Sequence, residues 1–553
     1  MKRLILLLFI MVIALQLSCA HNPHINPEGP FWKDDDTKAI PEPEYDEPSL
    51  IWLSFQRTTT DQLFELLDID RNIRKISGKP TQAKNSNCYD EVPNSSWFTN
   101  RHGHPDTRLS PEEIKQGLQR TKGPDTSGVW KVFRPKVGGA TPGFWIEDIH
   151  GDQYIIKFDP LFNAEMATAA AAIGSRYFYA CGYNTPQETI VFWNPDKLEI
   201  KKGATIKGKN GKRPLTMTDI DSILSMVNHE PDGSIRSLAS LNIGNVKGPF
   251  MYKGTKDDDP NDWCPHEHRR ELRGLYVIGS LVNHYDLKDH NSMDVYVGEP
   301  GQGYLKHYLM DFGSILGSDG KGDKHPRKGY ANMFDLRDIL VTSFTLGLKS
   351  WAWQNSLGPR YSSIGYFESD IFEPNKFDPI IPNPAFEQMT YQDAYWGAKI
   401  VMSFTEEDLI ALIDAGQYSN PEAKAYLLKT LKERQRKIGN YWFDKINPLD
   451  FPELSQSSET INIKFHDLAV EYGLEDDNAV YYYKLLNENN SIIHEATVSK
   501  TEIVLNVDQF DSGIRELQIF TERKGKDISK PVIFYLMKQY KNNVKIIGIE
   551  HPG

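Results

Sequence analysis

Three side chains with oxygen donors, Asp286, Asn291 and Asp311, have the types and order that phosphate chemistry requires. The first two belong to the segment His284-Tyr-Asp-Leu-Lys-Asp-His-Asn291, and the third begins Asp-Phe-Gly after an apolar run. Phosphoryl transfer depends on in-line positioning and on neutralising phosphate charge with metal ions. Carboxylate and amide oxygens are suitable Mg²⁺ ligands. We therefore expect Asp286 to orient or deprotonate an acceptor hydroxyl, and Asn291 and Asp311 to hold Mg²⁺.

A lysine and a glycine-rich turn upstream fit the same chemistry. Lys157 ends a strand pattern, where a lysine can contact the phosphates of a nucleotide, and Glu165 begins the next helix and is expected to pair with it. The turn between the two preceding strands is rich in glycine and is predicted to cover the phosphates. Its candidate cofactor-binding residues, together with Lys157, are Gly138, Gly139 and Gly143.

Each of these residues also has a purely structural interpretation. Lys157 is compatible with a solvated strand end, and a first-turn acid such as Glu165 is favoured by the helix dipole. Asp286 and Asn291 are common turn residues. The joint order, with a lysine on a strand, a glutamate on a helix, and then two acids and an amide in a helical half, favours the functional interpretation.

The hydrophobic pattern places these residues on recognisable elements. Strand patterns run from Trp130 to Phe158, and an Ala-rich helix covers Ala164 to Ala180. The texture is helical from His266 and changes after Pro452 to short alternating strands, which predict an antiparallel sandwich. The helices predicted in the second half are Glu267 to His284, Met333 to Trp351, Thr405 to Ala415 and Pro421 to Trp442.

Two stretches of the chain resemble the atypical kinase-like superfamily, which includes HipA-type kinases, the spore-coat kinase CotH and phosphatidylinositol kinases. They run from Tyr154 to Pro186 and from His266 to Asp294, and the second is also similar to uncharacterised exported bacterial proteins. The resemblance covers Trp130 to Gly317. It implies an α+β, bilobal protein-kinase-like fold, with a β-rich N-lobe and a helical C-lobe followed by the sandwich, and ATP or another nucleotide with Mg²⁺ as cofactors.

The chain departs from ordinary protein kinases in two places. Tyr285 replaces the usual arginine of the catalytic loop, and no Ala-Pro-Glu follows Asp311. Control through a phosphorylated activation loop is therefore not implied, and the acceptor stays open. Transfer of AMP instead of phosphate is an alternative for the same fold, and so is a catalytically inactive protein that acts as an envelope scaffold.

The first residues predict export. Lys2 and Arg3 precede an uncharged apolar run, Leu4 to Leu15, which is too short to span a bilayer comfortably. Cys19 then resembles the acylated cysteine of bacterial lipoproteins, although Gln16 departs from that pattern. We expect a lipid anchor in the bacterial envelope, with the outer membrane favoured by Ala20; ordinary signal cleavage and a retained anchor are the alternatives.

The length of 553 residues predicts several units. A net charge of -12 argues against a nucleic-acid partner, which requires a basic surface. The expected units are a signal peptide with the lipidation cysteine (1–19), a tether (20–48), an N-terminal extension (49–129), a kinase-like N-lobe with insertions (130–260), a helical C-lobe (261–450) and a β-sandwich (455–553).

One rival site competes with the nucleotide site. Cys264, His266 and His268 offer sulfur and imidazole donors of the kind that bind zinc. No fourth ligand is evident, and two histidines two residues apart do not share a helix face. Ion pairs of the neighbouring charged residues are the preferred interpretation of this segment.

Overall fold

The computed structural model describes residues 25–136, 141–208, 211–334, 341–346, 348, 350–510, 513–539 and 543–553. The chain is a mixed α+β protein, as the sequence indicates. Four sequence predictions lie outside the described residues: the apolar run Leu4 to Leu15, the candidate lipidation residue Cys19 and the turn glycines Gly138 and Gly139. Within the described ranges, none of the helices combines the length and the apolar character that crossing a bilayer requires.

The described residues of the N-terminal part form four α-helices. They are α1 Leu50–Thr58, α2 Thr60–Leu67, α3 Ile69–Ile76 and α4 Pro111–Gln116. The last begins with the capping box that Ser110-Pro-Glu-Glu predicts, because the Ser110 hydroxyl and the Glu113 carboxylate each accept from the other residue's backbone N–H.

The predicted tether needs a correction, since its described residues lie against the folded body. Lys33 forms a β-bridge with Asn94, and Ile40 forms one with Gly303. Ile40 is buried, and so is Asp36, whose carboxylate accepts from the backbone and hydroxyl of Ser96. Backbone bridges need no hydrophobic periodicity, so a polar, Pro-rich segment is held in place without the pattern that predicts an element.

The residues that follow form a sheet and the Ala-rich helix. The described elements are β1 Trp130–Pro135, β2 Gly143–Glu147, β3 Gln153–Lys157, α5 Met166–Ala180, β4 Glu188–Trp193, β5 Leu198–Ile200, β6 Thr205–Gly208, β7 Gly211–Pro214, α6 Met217–Leu224 and β8 Ile235–Leu241. Six of these strands make one sheet in the order β4-β8-β3-β2-β1-β5. Strand β3 therefore lies inside the sheet, between β2 and β8, and α5 contacts β4 and β8.

The next part, as far as the structure describes it, is mainly helical and contains one β-hairpin. Its elements are α7 Arg270–Val282, β9 Ser292–Val297, β10 Tyr304–Leu309, α8 Pro384–Glu387, α9 Tyr391–Met402, α10 Glu406–Ala415 and α11 Pro421–Phe443. All 13 residues of α7 are buried, which makes it the central helix of this part. Asn420 and Pro421 begin α11 as predicted, with the Asn420 side chain accepting from the backbone of the first turn.

The C-terminal part is built almost entirely of antiparallel strands. Its elements are β11 Leu449–Gln456, β12 Thr460–Asp467, α12 Leu468–Glu471, β13 Val480–Leu486, β14 Ile492–Val498, β15 Glu502–Asn506, β16 Ile514–Glu522, β17 Val532–Lys538 and β18 Val544–Glu550. The described strands form two sheets, β11-β12-β15 and β14-β13-β16-β17-β18. Apolar side chains of both sheets share one core.

A buried ionic junction joins this β-rich part to the helical part. His551 lies 3.2 Å from Asp90 and 3.8 Å from Asp450 through its two ring nitrogens. Lys399 of α9 contacts Asp450 at 2.6 Å and also Glu91. All five side chains are buried, so the C-terminal strands are an integral part of the folded body.

Candidate functional site

The β9–β10 hairpin brings Asn291 and Asp311 together. Ser292, directly after Asn291, pairs with Leu309 at the open end of the hairpin. The backbone N–H of Met310 then donates to the carbonyl of Asn291 at 3.0 Å. Asp311 follows immediately, so the antiparallel register places the two predicted metal ligands side by side.

Asp286 joins this group through the side chain of Asn291. The Asn291 amide donates to the backbone carbonyl of Asp286 at 2.8 Å and to its Oδ2 at 2.9 Å. The Asp286 Oδ1 faces the ammonium of Lys288 at 2.7 Å. Burial raises the pKa of Asp286, and the contacts with Lys288 and Asn291 oppose that shift. Asp286 thus holds the amide nitrogen of Asn291 in place.

Asp311 is held by the packing of the residue that follows it. Its backbone is left-handed, with a φ of 62°. Phe312 is fully buried and stacks on Phe178 of α5, with ring centroids 5.0 Å apart. Gly174 of α5 makes room for it, because a Cβ there would lie 2.5 Å from the Phe312 Cβ. The Phe312 side chain thus links the Asp311 backbone to helix α5. The carboxylate of Asp311 stays partly exposed.

Lys157 reaches the group from the sheet. Its ammonium lies 3.3 Å from Asp311 Oδ1 and 3.8 Å from Glu188 Oε1. Burial alone would lower the pKa of Lys157, but the two carboxylates outweigh it and the pKa is raised. The charge of Lys157 in turn holds the pKa of Asp311 below its usual value. A cation and a carboxylate are therefore both charged at the centre of the cleft.

The predicted pairing of Lys157 with Glu165 does not occur in the structure. Glu165 lies just before α5 with a φ of 65°, and its carboxylate accepts from the backbone N–H of Ser419 at 3.0 Å. The helix start is instead held by Asp159, which accepts from the backbone of Glu165 and Thr168. This capping turns Glu165 away from the strand that carries Lys157.

Glu188, which the sequence analysis did not identify, is the second carboxylate facing Lys157. It opens β4, is 2% exposed, and neither carboxylate oxygen has a hydrogen-bond partner among the described residues. Burial raises its pKa to about 7. A buried acid without hydrogen bonds costs free energy, and such groups are characteristic of functional sites. The sequence feature that could have identified Glu188 is an acidic residue at the start of the mainly apolar strand β4.

The glycine-rich turn contributes a second ammonium group and a close backbone contact. Gly143 pairs with Lys157 across β2 and β3, and a Cβ at this position would lie 2.2 Å from the carbonyl oxygen of Ile156. Lys136 donates to the backbone and side chain of Thr141, and burial followed by the charge of Lys157 lowers its pKa to about 8. The described part of this turn therefore lies over the cleft.

A small cleft lies between the sheet and the helical part at this point. Its lining combines two ammonium groups, the Asp311 carboxylate and apolar or small side chains from α5 and β8. The lining residues are Lys136, Thr141, Lys157, Phe158, Ala167, Thr168, Ala171, Leu238, Asp311, Gly313, Ser314 and Gly320. The positive groups suit phosphate, and the apolar wall suits a flat ring.

The donor set fits a magnesium–nucleotide complex. Mg²⁺ is usually held by one or two protein oxygens and by substrate phosphates, so a complete protein cage is not required. Asp311 and Asn291 supply such oxygens. The described residues contain no group of three or more His, Cys, Asp or Glu side chains arranged around a metal.

The side chains of the rival zinc motif have separate partners. His266 faces Asp262 at 2.6 Å, and His268 lies 2.6 Å from the guanidinium of Arg273. Cys264 is buried. The adjacent arginines form ion pairs, Arg269 with Asp262 and Arg270 with Asp90 and Asp393. This segment therefore stabilises the fold.

Comparisons with known proteins add kinases as structural neighbours. No protein-family model and no curated protein matches the chain. The Helicobacter pylori proinflammatory kinase CtkA matches with a TM-score of 0.31 and 11% identity, over 57% of this chain and 95% of that chain. The Golgi casein kinase matches with a TM-score of 0.28 and 10% identity, over 73% and 94%. A structure of the same kinase with Mn/ADP bound matches with a TM-score of 0.25 and 11% identity, over 57% and 72%.

A non-kinase structure also matches. The rat CD45 extracellular domains d3-d4 give a TM-score of 0.13 and 17% identity, over 16% of this chain. The chain spans 46% of the length of that fragment. All of these TM-scores are below 0.5.

Proposed function

We propose that the chain is an exported phosphotransferase that uses a Mg²⁺–nucleotide complex, on a bilobal kinase-like fold with a C-terminal β-sandwich. The observation that carries the proposal is the convergence of Lys157, Asp311, Asn291 and Asp286 from separate stretches of sequence. The apolar run and Cys19 support an anchor in the bacterial envelope, as the sequence analysis expects.

Each residue has a distinct task in this proposal. The bound Mg²⁺–nucleotide complex supplies the phosphoryl group and the cation that neutralises its charge. Lys157 and Lys136 bind phosphate oxygens, and Asp311 and Asn291 hold the cation. Asp286 accepts the proton of the acceptor hydroxyl. The ammonium of Lys288, 2.7 Å from Asp286, provides positive charge where that hydroxyl binds.

Nucleotide binding is expected to exchange the partners in the ion pair between Lys157 and Asp311, with phosphate replacing Asp311 and Mg²⁺ replacing Lys157. Without ligand, each side chain neutralises the other in a narrow cleft. Phosphate and Mg²⁺ offer each of them a stronger partner, because a polyphosphate and Mg²⁺ each carry more than one charge, whereas the ion pair at 3.3 Å joins two single charges. We therefore expect binding to separate the two side chains.

Nucleotide binding tests the proposal directly. Mg²⁺–ATP is expected to raise the melting temperature of the wild-type chain, and the shift should vanish in Asp311→Ala. Glu299→Ala, at the exposed tip of the β9–β10 hairpin, is the matched control and should keep the shift. A folded wild-type chain that shows no shift with any Mg²⁺–nucleotide contradicts the proposal and favours the scaffold alternative.

The transferred group is identified with labelled nucleotide. Label from γ-phosphate on an acceptor indicates phosphorylation, whereas label from α-phosphate indicates AMP transfer. Asp286→Asn should abolish either transfer while leaving the Mg²⁺–ATP melting shift in place, since Asp286 is assigned to the acceptor. Loss of the shift in this variant would reassign Asp286 to nucleotide binding.

A further inference from the structure

The helices α1 to α3 have their polarity reversed relative to an ordinary surface helix. Among their described side chains, Leu53 is the one buried apolar residue. Many large apolar side chains point outward instead. The exposed ones are Leu50, Ile51, Trp52, Phe55, Leu63, Phe64, Leu67, Ile69, Ile73 and Ile76, which we call the apolar face.

Ion pairs fix this orientation from the inside. Arg57 is buried, with its guanidinium 2.7 Å from Asp61 and 3.3 Å from Asp289. Arg71, also buried, donates to the carbonyl of Glu387 at 2.7 Å. Turning the apolar side chains inward would expose the two arginines and break their ion pairs and hydrogen bonds. The fold therefore keeps the apolar face directed outward.

The apolar face is anchored next to the proposed catalytic segment. Asp289, the partner of Arg57, lies in the turn between Asp286 and Asn291, and also accepts from the backbone of Tyr252. His290 of the same turn contacts the carbonyl of Pro48 at 2.8 Å, just before α1. Whatever covers the apolar face is therefore held beside this turn.

We propose that the apolar face lies in the interface of a lipid bilayer. Ten exposed aliphatic and aromatic side chains within three consecutive helices are more than the scattered apolar residues of an ordinary surface. Helices of eight or nine residues are much too short to span a bilayer but suit a position in its plane. Trp52 and Phe55 are of the residue types found on the apolar face of helices that lie in the membrane interface.

The sequence before these helices favours a bilayer, instead of another protein, as the partner of the apolar face. The chain begins with Lys2 and Arg3 followed by the uncharged apolar run Leu4 to Leu15, and Cys19 is the candidate acylation site. These features predict that the residues before the described part contact a membrane. Helices α1 to α3 follow in the same part of the chain. The inference does not depend on phosphotransfer.

Site-specific fluorescence tests the inference in the full-length chain. The described cysteines, Cys88, Cys181 and Cys264, are buried, so with Cys19→Ser an introduced cysteine is the accessible one to label. An environment-sensitive dye is placed through Phe55→Cys or Phe64→Cys, and through His150→Cys on an exposed turn of the sheet as control. The vesicles contain phosphatidylethanolamine and phosphatidylglycerol.

The expected result is an increase of about twofold in emission at positions 55 and 64, quenched by lipids that carry a shallow nitroxide, with no change at position 150. The double variant Ile51→Glu with Phe64→Glu should remove the increase at position 55. Ile492→Glu, which alters an exposed apolar residue of β14, should keep it.

Two outcomes overturn the inference. One is unchanged emission at positions 55 and 64 while the chain sediments with the vesicles. The other is an increase that occurs without vesicles and grows with protein concentration, which would assign the apolar face to a second copy of the chain. Unchanged melting temperatures of the labelled variants establish that each is folded.

Discussion

The carboxylate of Glu188 faces the ammonium of Lys157 at 3.8 Å from a position that is almost completely buried. Asp311 contacts the same ammonium from the opposite part of the molecule. Lys157 is thus positioned between one acid of the sheet and one acid that follows the hairpin. Replacing Glu188 and replacing Asp311 should therefore have different effects, because only Asp311 is assigned to the metal.

Glu188→Gln should weaken nucleotide binding while Glu165→Gln should not. At pH 8, above the pKa of about 7, Glu188 is ionised and the glutamine variant removes this charge. Position 188 then no longer orients Lys157, and we expect affinity for Mg²⁺–ATP at pH 8 to fall roughly tenfold. Glu165 contacts the backbone of Ser419, so its substitution should change affinity by less than about twofold. Titration calorimetry measures both. Equal losses in the two variants would restore Glu165 as the partner of Lys157.

The stability of the chain should respond to pH through Glu188. The folded state raises the pKa of this carboxyl to about 7, so it keeps its proton more tightly than the unfolded chain does. Ionisation therefore costs stability, which decreases as the pH rises from the ordinary glutamate range through about 7. Glu188→Gln should be more stable relative to wild type at pH 8 than at pH 5. Melting temperatures at both pH values decide this, and a constant difference would contradict the assignment.

The junction around His551 should have the same direction of pH dependence for a different reason. Burial opposes the charged imidazole, but Asp450 and Asp90 outweigh it and raise the pKa of His551. The imidazolium therefore contributes stability that is full below the ordinary histidine pKa and is lost as the pH rises through the raised value.

His551→Ala should consequently reduce the free energy of unfolding by about 3 kcal/mol at pH 6, since it leaves two buried carboxylates short of a partner. The loss should shrink toward pH 9. His466→Ala, on the exposed side of β12, is the control and should change stability by less than about 0.5 kcal/mol. Chemical denaturation at the two pH values measures the difference.

Gly143→Ala should destabilise the sheet that holds Lys157. The added Cβ would lie 2.2 Å from the backbone oxygen of Ile156, and backbone on a paired strand cannot move away cheaply. We expect a loss of about 2 kcal/mol. Gly313→Ala is the matched comparison, because its Cβ meets nothing within 4 Å and its φ is ordinary. A Gly143→Ala chain that melts like wild type would disprove the close contact.

Local sequence signals predicted the elements of the site well. The strand that ends at Lys157, the Ala-rich helix and the cap at Asn420 and Pro421 are present, because periodicity and capping act over a few residues. The hairpin between Asn291 and Asp311 is likewise a local element, because a short segment that contains Gly298 and Gly301 joins its two strands.

Local sequence signals could not predict contacts between residues that are distant in the sequence. The choice between Glu165 and Glu188 depends on Asp159, which caps α5 and directs Glu165 toward Ser419. No periodicity reveals that exchange of partners. The docked course of residues 26–48 was missed for a related reason, since it depends on backbone bridges that any side chain permits.

The hairpin that joins Asn291 to Asp311 is anchored at its open end, while the exposed tip between Gly298 and Gln302 lies away from both residues. A reporter peptide inserted into that tip should leave the distance between the two proposed metal ligands unchanged. The same geometry makes the loop a natural location for variation in length, since added residues there leave the spacing of the site unchanged.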